Sequence, residues 1–229
     1  MGQDYSYKHD FNQFIINNSV IGFFETPIQL KSGRLSYFYV NWRNVVSDVF
    51  LIDQLTDYLI NFIEEKKFEV DCFIGVPEGA TKIGIITQFK WAKNQNDFKK
   101  KAYPLPMARG KIKQHGDPED RAYIGPPKGN IVVIEDVTTT GQSLLELLTQ
   151  LNELNVTCIA TISLTSRNEL RGDGTTIKTI LAQKGIKYYA MSNALELLPL
   201  LSKKIDLDLS LREKIERYFE MYGERPLKL

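Results

Sequence analysis

Two adjacent carboxylates, Glu135 and Asp136, are followed by Thr138, Thr139, Thr140, Gly141, Gln142 and Ser143. Ionised carboxylates only accept hydrogen bonds, and a ribose offers such a pair two vicinal hydroxyl donors. The threonine run opens a helix, so unpaired backbone N–H groups, the positive end of the helix dipole and several hydroxyls converge there, which suits a phosphate. Gly141 lets the backbone come close to the anion. Together they point to a ribose 5-phosphate. Strand, turn and N-capped helix are also ordinary parts of any α/β protein. What distinguishes this stretch is the full order of buried strand, acid pair, Thr-Thr-Thr-Gly and helix.

The elements around the motif would place it correctly. Ile131-Val132-Val133-Ile134 has the continuous apolar character of a strand buried on both faces in a parallel sheet. The acids then fall at its carboxyl end, the edge where open α/β sheets bind ligands. The following helix carries an apolar stripe of Leu144, Leu147, Leu148, Leu151 and Leu154.

Composition bounds the rest. A chain of 229 residues with 43% hydrophobic content supports one substantial core and is expected to form a single domain over 1–229. The 29 basic and 28 acidic residues nearly cancel, so no nucleic-acid or membrane partner is expected. Cys72 and Cys158 sit in apolar strand-like runs, as buried free thiols of a reducing compartment do. The polar N-terminus and the absence of a membrane-length apolar run lead to a cytoplasmic expectation.

Along the chain, the patterns predict a helix over 8–18, short strands at 21–24 and 28–30, and an aromatic strand at 36–41, after the basic turn Lys31-Ser32-Gly33-Arg34. Residues 45–63 read as one amphipathic helix with Val45, Val49, Ile52, Leu55, Leu59, Phe62 and Ile63 inward. A second strand-to-helix turn, Gly75-Val76-Pro77-Glu78-Gly79-Ala80-Thr81-Lys82, is the kind of partner a pyrophosphate clamp needs. The helix after it, 81–92, is expected to bury Ile83, Ile86 and Phe89. Lys99-Lys100-Lys101 reads as a solvated basic patch. A strand over 156–164 ends at Thr165-Ser166-Arg167, and the guanidinium of Arg167 offers a planar fork for a carboxylate. Beyond it a helix at 176–184, a strand at 186–191 and helices at 193–198 and 209–221 read as scaffold.

From about 108 to 128 no periodicity is evident, and so long a connection inside a domain is functional or disordered. Arg109, Lys111, Lys113 and His115 occupy alternate positions, so an extended chain would point all four to one side. Glycines at 110, 116 and 125 would serve as hinges. Such an arm is a candidate lid that brings positive charge to a leaving pyrophosphate and excludes water.

At the acid pair and threonine turn the chain resembles the phosphoribosyltransferases that use 5-phosphoribosyl 1-pyrophosphate (PRPP). Lys31-Ser32-Gly33-Arg34 with its aromatic strand, and the 109–116 loop with Arg109, Lys113, His115 and Gly116, are similar to the orotate phosphoribosyltransferases of that group. The resemblance runs from about 24 to 167. It implies a Rossmann-like α/β fold, the type I phosphoribosyltransferase fold, with a parallel sheet, helices on both faces and a small N-terminal hood over about 1–44. It implies transfer of the phosphoribosyl group of PRPP to orotate, giving orotidine 5-phosphate and pyrophosphate. Implied roles are the phosphate for 139–143, the ribose diol for Glu135 and Asp136, orotate or phosphate for Lys31, ring walls for Phe38 and Tyr39, pyrophosphate for Lys82, and the orotate carboxylate for Arg167, with Thr139 as a second base contact. Asp136, Arg109, Lys113 and His115 are the implied catalytic residues, His115 as a proton donor. The family commonly has a second basic residue directly after the arginine, where this chain has Gly110, so Lys111 stands as its replacement. The resemblance also implies a homodimer whose loop closes over the partner's site. PRPP itself calls for Mg²⁺ held mainly by substrate oxygens rather than by a protein metal cluster. Two other readings stay open, a phosphoribosyltransferase for another base and a non-enzymatic PRPP-binding regulator.

Overall fold

The computed structural model describes residues 2–115, 121–154 and 156–229. Helix α1 (Gly2–Asn17) leads into the antiparallel pair β1 (Ile21–Gln29) and β2 (Leu35–Val40), which forms the expected hood. The two short strands expected at 21–24 and 28–30 are one strand, whose register with β2 shifts between Phe23 and Ile28, around Pro27. A proline cannot donate to the ladder, so the strand bulges past it.

The expected single helix over 45–63 is two, α2 (Arg43–Val46) and α3 (Val49–Lys66). Asp48 breaks the run because its carboxylate accepts from the Leu51 N–H at 2.9 Å and caps α3. Val49 consequently lies in the exposed first turn, 84% accessible, and is not a core residue. Then follow β3 (Cys72–Gly75), α4 (Thr81–Lys93), β4 (Met107–Ala108), β5 (Tyr123–Ile124), β6 (Gly129–Thr138), α5 (Gln142–Leu151), β7 (Val156–Ser166), α6 (Ile177–Gln183), β8 (Lys187–Asn193), α7 (Ala194–Ser202) and α8 (Leu209–Tyr222).

Strands β3, β6, β7 and β8 form a parallel sheet in that order. Alternation along the central strands divides the core between its two faces. Ile131 and Val133, with Cys72 and Ile74, pack against Leu144, Leu147 and Leu148 of α5 and Leu181 of α6. Val132, Ile134, Phe73, Ile162 and Leu164 face a larger cluster that takes in Phe11 and Ile15 of α1, Leu55 and Leu59 of α3, Leu197 of α7 and Phe219 of α8. Helices therefore cover both faces, as the expected α/β class requires.

Helix α4 departs from expectation. Ile83 is buried, but Phe89 is exposed and Thr87 and Gln88 are inside instead. Gln88 accepts from the Phe73 N–H at 2.9 Å and donates to the Pro104 carbonyl at 2.8 Å, which pairs a backbone group on the edge strand of the sheet. The 108–128 connection is not structureless at its ends: β4 and β5 pair antiparallel. Arg109 N–H continues the ribbon to Ala122 O at 2.9 Å, and Lys113 N–H donates to Arg121 O at 3.0 Å. Residues 116–120, including the expected hinge Gly116, lie outside the described residues. No described helix is long and apolar enough to cross a membrane.

Candidate active site

The carboxyl edge of the sheet opens into a cleft of about 490 Å³, lined among others by Lys31, Tyr39, Asn41, Arg43, Glu78, Gly79, Lys82, Glu135, Asp136, Thr139, Ser143 and Arg167. Through Lys31, Glu135, Val137, Thr139 and Ser143 it continues into a second recess of about 450 Å³, where Thr140, Gly141, Gln142, Arg34 and Arg171 join the lining. Residues from the hood, the β3–α4 turn, the β6–α5 turn and the end of β7 thus share one space.

The β6–α5 turn has the construction of an anion cradle. Gly141 caps α5 at φ 71° with no side-chain hydrogen bond to the first turn, so first-turn N–H groups of α5 have no capping side chain. A Cβ on Gly141 would sit 2.5 Å from Ile177 Cδ1, so both conformation and space require glycine. Lys31 reaches over from the hood and its Nζ donates to Ser143 Oγ at 2.9 Å, adding a cation to the same place.

The acid pair lies deeper. Glu135 is 6% accessible and accepts from Thr138 Oγ1 at 3.3 Å. Burial first, and then the charge of Asp136, push its carboxyl up to about 8, against the lowering effects of the Thr138 hydroxyl and Lys31. Burial also raises Asp136, opposed by the backbone N–H groups of Val137 and Asp136 and by the charge of Arg43. Gly79 lets this carboxylate in: a Cβ there would lie 2.3 Å from Asp136 Oδ2.

The other expected residues are distributed unevenly. Tyr39 lines the cleft, but Phe38 does not. Adjacent strand residues point to opposite faces, and Phe38 is fully buried, stacked on Phe219 at 5.4 Å. Its role as a ring wall is corrected to that of a support, since the Arg167 guanidinium lies over its face at 3.9 Å. Lys82 lines the cleft while its amine donates to the Val46 carbonyl at 3.2 Å. Arg167 is at the cleft floor but is 1% accessible. Its fork is not open as expected: Nε donates to Glu169, Nη1 to Phe38 O, and Nη2 to Ser36 Oγ and Tyr218 OH.

Arg109, Lys111, Lys113 and His115 line neither part of the cleft. Beside Gly110, the position of a Cβ is 3.2 Å from Glu78 Oε1. A side chain there would need this flexible carboxylate to give by a few tenths of an ångström. Sequence reasoning missed Arg43, Asn41, Glu78 and Arg171. Arg171 donates to the Thr140 carbonyl and so braces the phosphate turn, but isolated cations in loops carry no spacing signal.

Comparison with known proteins places this architecture. No family model matches the chain. It is 28% identical over 219 residues to the orotate phosphoribosyltransferase of Ruthia magnifica subsp. Calyptogena magnifica, covering 95% of this chain and 98% of the relative. It is 25% identical over 221 residues to that of Pseudomonas syringae pv. tomato, covering 95% and 99%. Over most of its length the chain is thus similar in sequence to curated orotate phosphoribosyltransferases. Its fold is also that of the family's solved structures. The Francisella tularensis enzyme superposes with a TM-score of 0.68 at 21% identity over 93% of this chain and 99% of the other. Leishmania donovani UMP synthase does so with 0.70 at 17% identity, over 93% of this chain and 42% of the other.

Proposed function

We propose that this chain transfers the 5-phosphoribosyl group of PRPP to orotate, releasing pyrophosphate and forming orotidine 5-phosphate in pyrimidine biosynthesis. The observation that carries the reading is the single cleft in which the Glu135–Asp136 pair and the Gly141 helix turn face a hood lysine already hydrogen-bonded to Ser143. The helix turn holds the 5-phosphate through Thr139, Thr140, Gly141, Gln142 and Ser143. Glu135 and Asp136 accept from the ribose hydroxyls and face the positive charge that develops on the ribose as the pyrophosphate departs. Tyr39 flanks the base, and Lys82 serves the pyrophosphate.

Among the described residues no group of three His, Cys, Asp or Glu is arranged to hold a metal ion. The donor set fits a divalent cation held mainly by PRPP oxygens, with the carboxylates of Glu135 and Asp136 as the protein groups nearest to it. Such a cation would supply positive charge to the leaving pyrophosphate. Arg109, Lys111, Lys113 and His115 line no part of the cleft of their own chain, which supports a reading in which they act on the site of a second copy, in a homodimer, Lys111 at the pyrophosphate.

The test is pyrophosphate release from PRPP with Mg²⁺ and a panel of bases. Release is expected with orotate and not with adenine, hypoxanthine, guanine or uracil at comparable concentration. Turnover of a purine would reassign the base, and PRPP binding without turnover on any base would make the chain a regulator.

A further inference from the structure

Resting on the orotate reading, we propose that Glu169 is a positioning residue that sets the Arg167 contact to the base carboxylate and, through Arg34, holds the hood turn beside it. Its side chain is wholly inaccessible and both oxygens are in use. Oε1 accepts from Arg167 Nε at 2.7 Å, and Oε2 accepts from Arg34 Nη1 at 2.7 Å. The backbone of Glu169 is held too, by a bridge to Gly223, with Leu170 N–H donating to Tyr222 O at 2.7 Å and Glu224 N–H to Asn168 O at 2.8 Å. The carboxylate is therefore a fixed point to which two long side chains are tied.

A guanidinium has five N–H groups. In Arg167, Nε serves Glu169, one Nη1 hydrogen serves Phe38 O at 3.4 Å, and Nη2 serves Ser36 Oγ at 2.9 Å and Tyr218 OH at 3.5 Å. One Nη1 hydrogen remains at the cleft floor that Arg167 lines. It meets a ligand in one orientation only, which the Glu169 contact sets. Arg34 donates from Nη2 to the Leu170 carbonyl at 2.7 Å and lies over the Tyr222 ring at 4.5 Å. It stands in the hood turn that carries Lys31, so the same carboxylate also anchors that turn.

Charge completes the argument. Two guanidinium groups share one carboxylate, and their neighbours Ser36, Phe38, Tyr218 and Tyr222 bring no anion, burial raising the Tyr218 phenol above its usual range. Taken alone, the cluster carries one net positive charge, beside a cleft whose acid pair lies on the sheet. A buried charge without a counter-ion is costly, and an anionic group on the substrate supplies one.

The experiment compares steady-state kinetics and thermal midpoints of the wild type, Glu169→Gln and Arg34→Gln. Both variants should raise the KM for orotate about tenfold while the KM for PRPP stays within about twofold and kcat within about threefold. A purely structural ion network would lower the thermal midpoint and the active fraction while leaving the KM for orotate within twofold, and that result overturns the proposal. Loss of folding in both variants overturns it as well. If the wild type fails to turn over orotate, the functional reading fails first. If the wild type is active and the variants keep its KM for orotate, only this inference fails.

Discussion

At the scale of single residues, burial works against the charged form of both carboxylates in the acid pair. A carboxyl raised to about 8 in the folded chain and lying near 4.5 when unfolded binds more protons folded than unfolded between those values. Stability is therefore fully present below about 4.5 and is lost as pH rises through about 8. Glu135→Gln removes that titration and should flatten the dependence. Urea unfolding at pH 6 and pH 9 should show wild type losing on the order of 1–3 kcal/mol more than the variant across this interval. An identical loss in both proteins would place the titration elsewhere. For Asp136, whose charge is proposed to face the ribose, Asp136→Asn keeps the shape and removes the charge. Turnover should fall at least about tenfold, and an unchanged rate in the pyrophosphate assay would make Asp136 structural.

At the scale of elements, two strand-to-helix turns make the site by approaching each other, and Gly79 decides how closely. An added methyl at Gly79 meets the far end of the Asp136 side chain rather than backbone, so the carboxylate is what moves. Gly79→Ala should consequently lower kcat by at least about tenfold through misplacement of that charge, while the unfolding midpoint in urea changes little. Loss of stability in proportion to activity would show that the turn itself had been disrupted. The hood is organised in the same way, with Lys31 on Ser143 and Arg34 on Glu169 clamping one hairpin to two loops of the sheet.

At the scale of the whole molecule, Arg109, Lys111, Lys113 and His115, in the arm between β4 and β5, line no part of the cleft in their own chain. If each arm serves a second copy, Lys113→Ala and Asp136→Asn chains that are separately near-inactive should complement on mixing. A mixed dimer then has one site with both lesions and one with neither, so random pairing should restore roughly a quarter of wild-type activity. No recovery despite demonstrated subunit exchange, or a monomer under assay conditions, would sink the trans arrangement and leave the chemistry intact.

The β6 strand, the acid pair, the Thr-Thr-Thr-Gly turn and the stripe of α5 were legible in the sequence because each depends on neighbours close in the chain: hydrophobic period, glycine conformation, helix start. The parallel sheet and its covered faces followed from the same patterns. What tertiary structure decided was everything set by residues distant in sequence. It turned Phe38 inward beneath Arg167, buried Gln88 against an edge strand, and closed the Arg167 fork on Ser36 and Tyr218. In each case a partner far along the chain met a polar or apolar need that local pattern could not reveal.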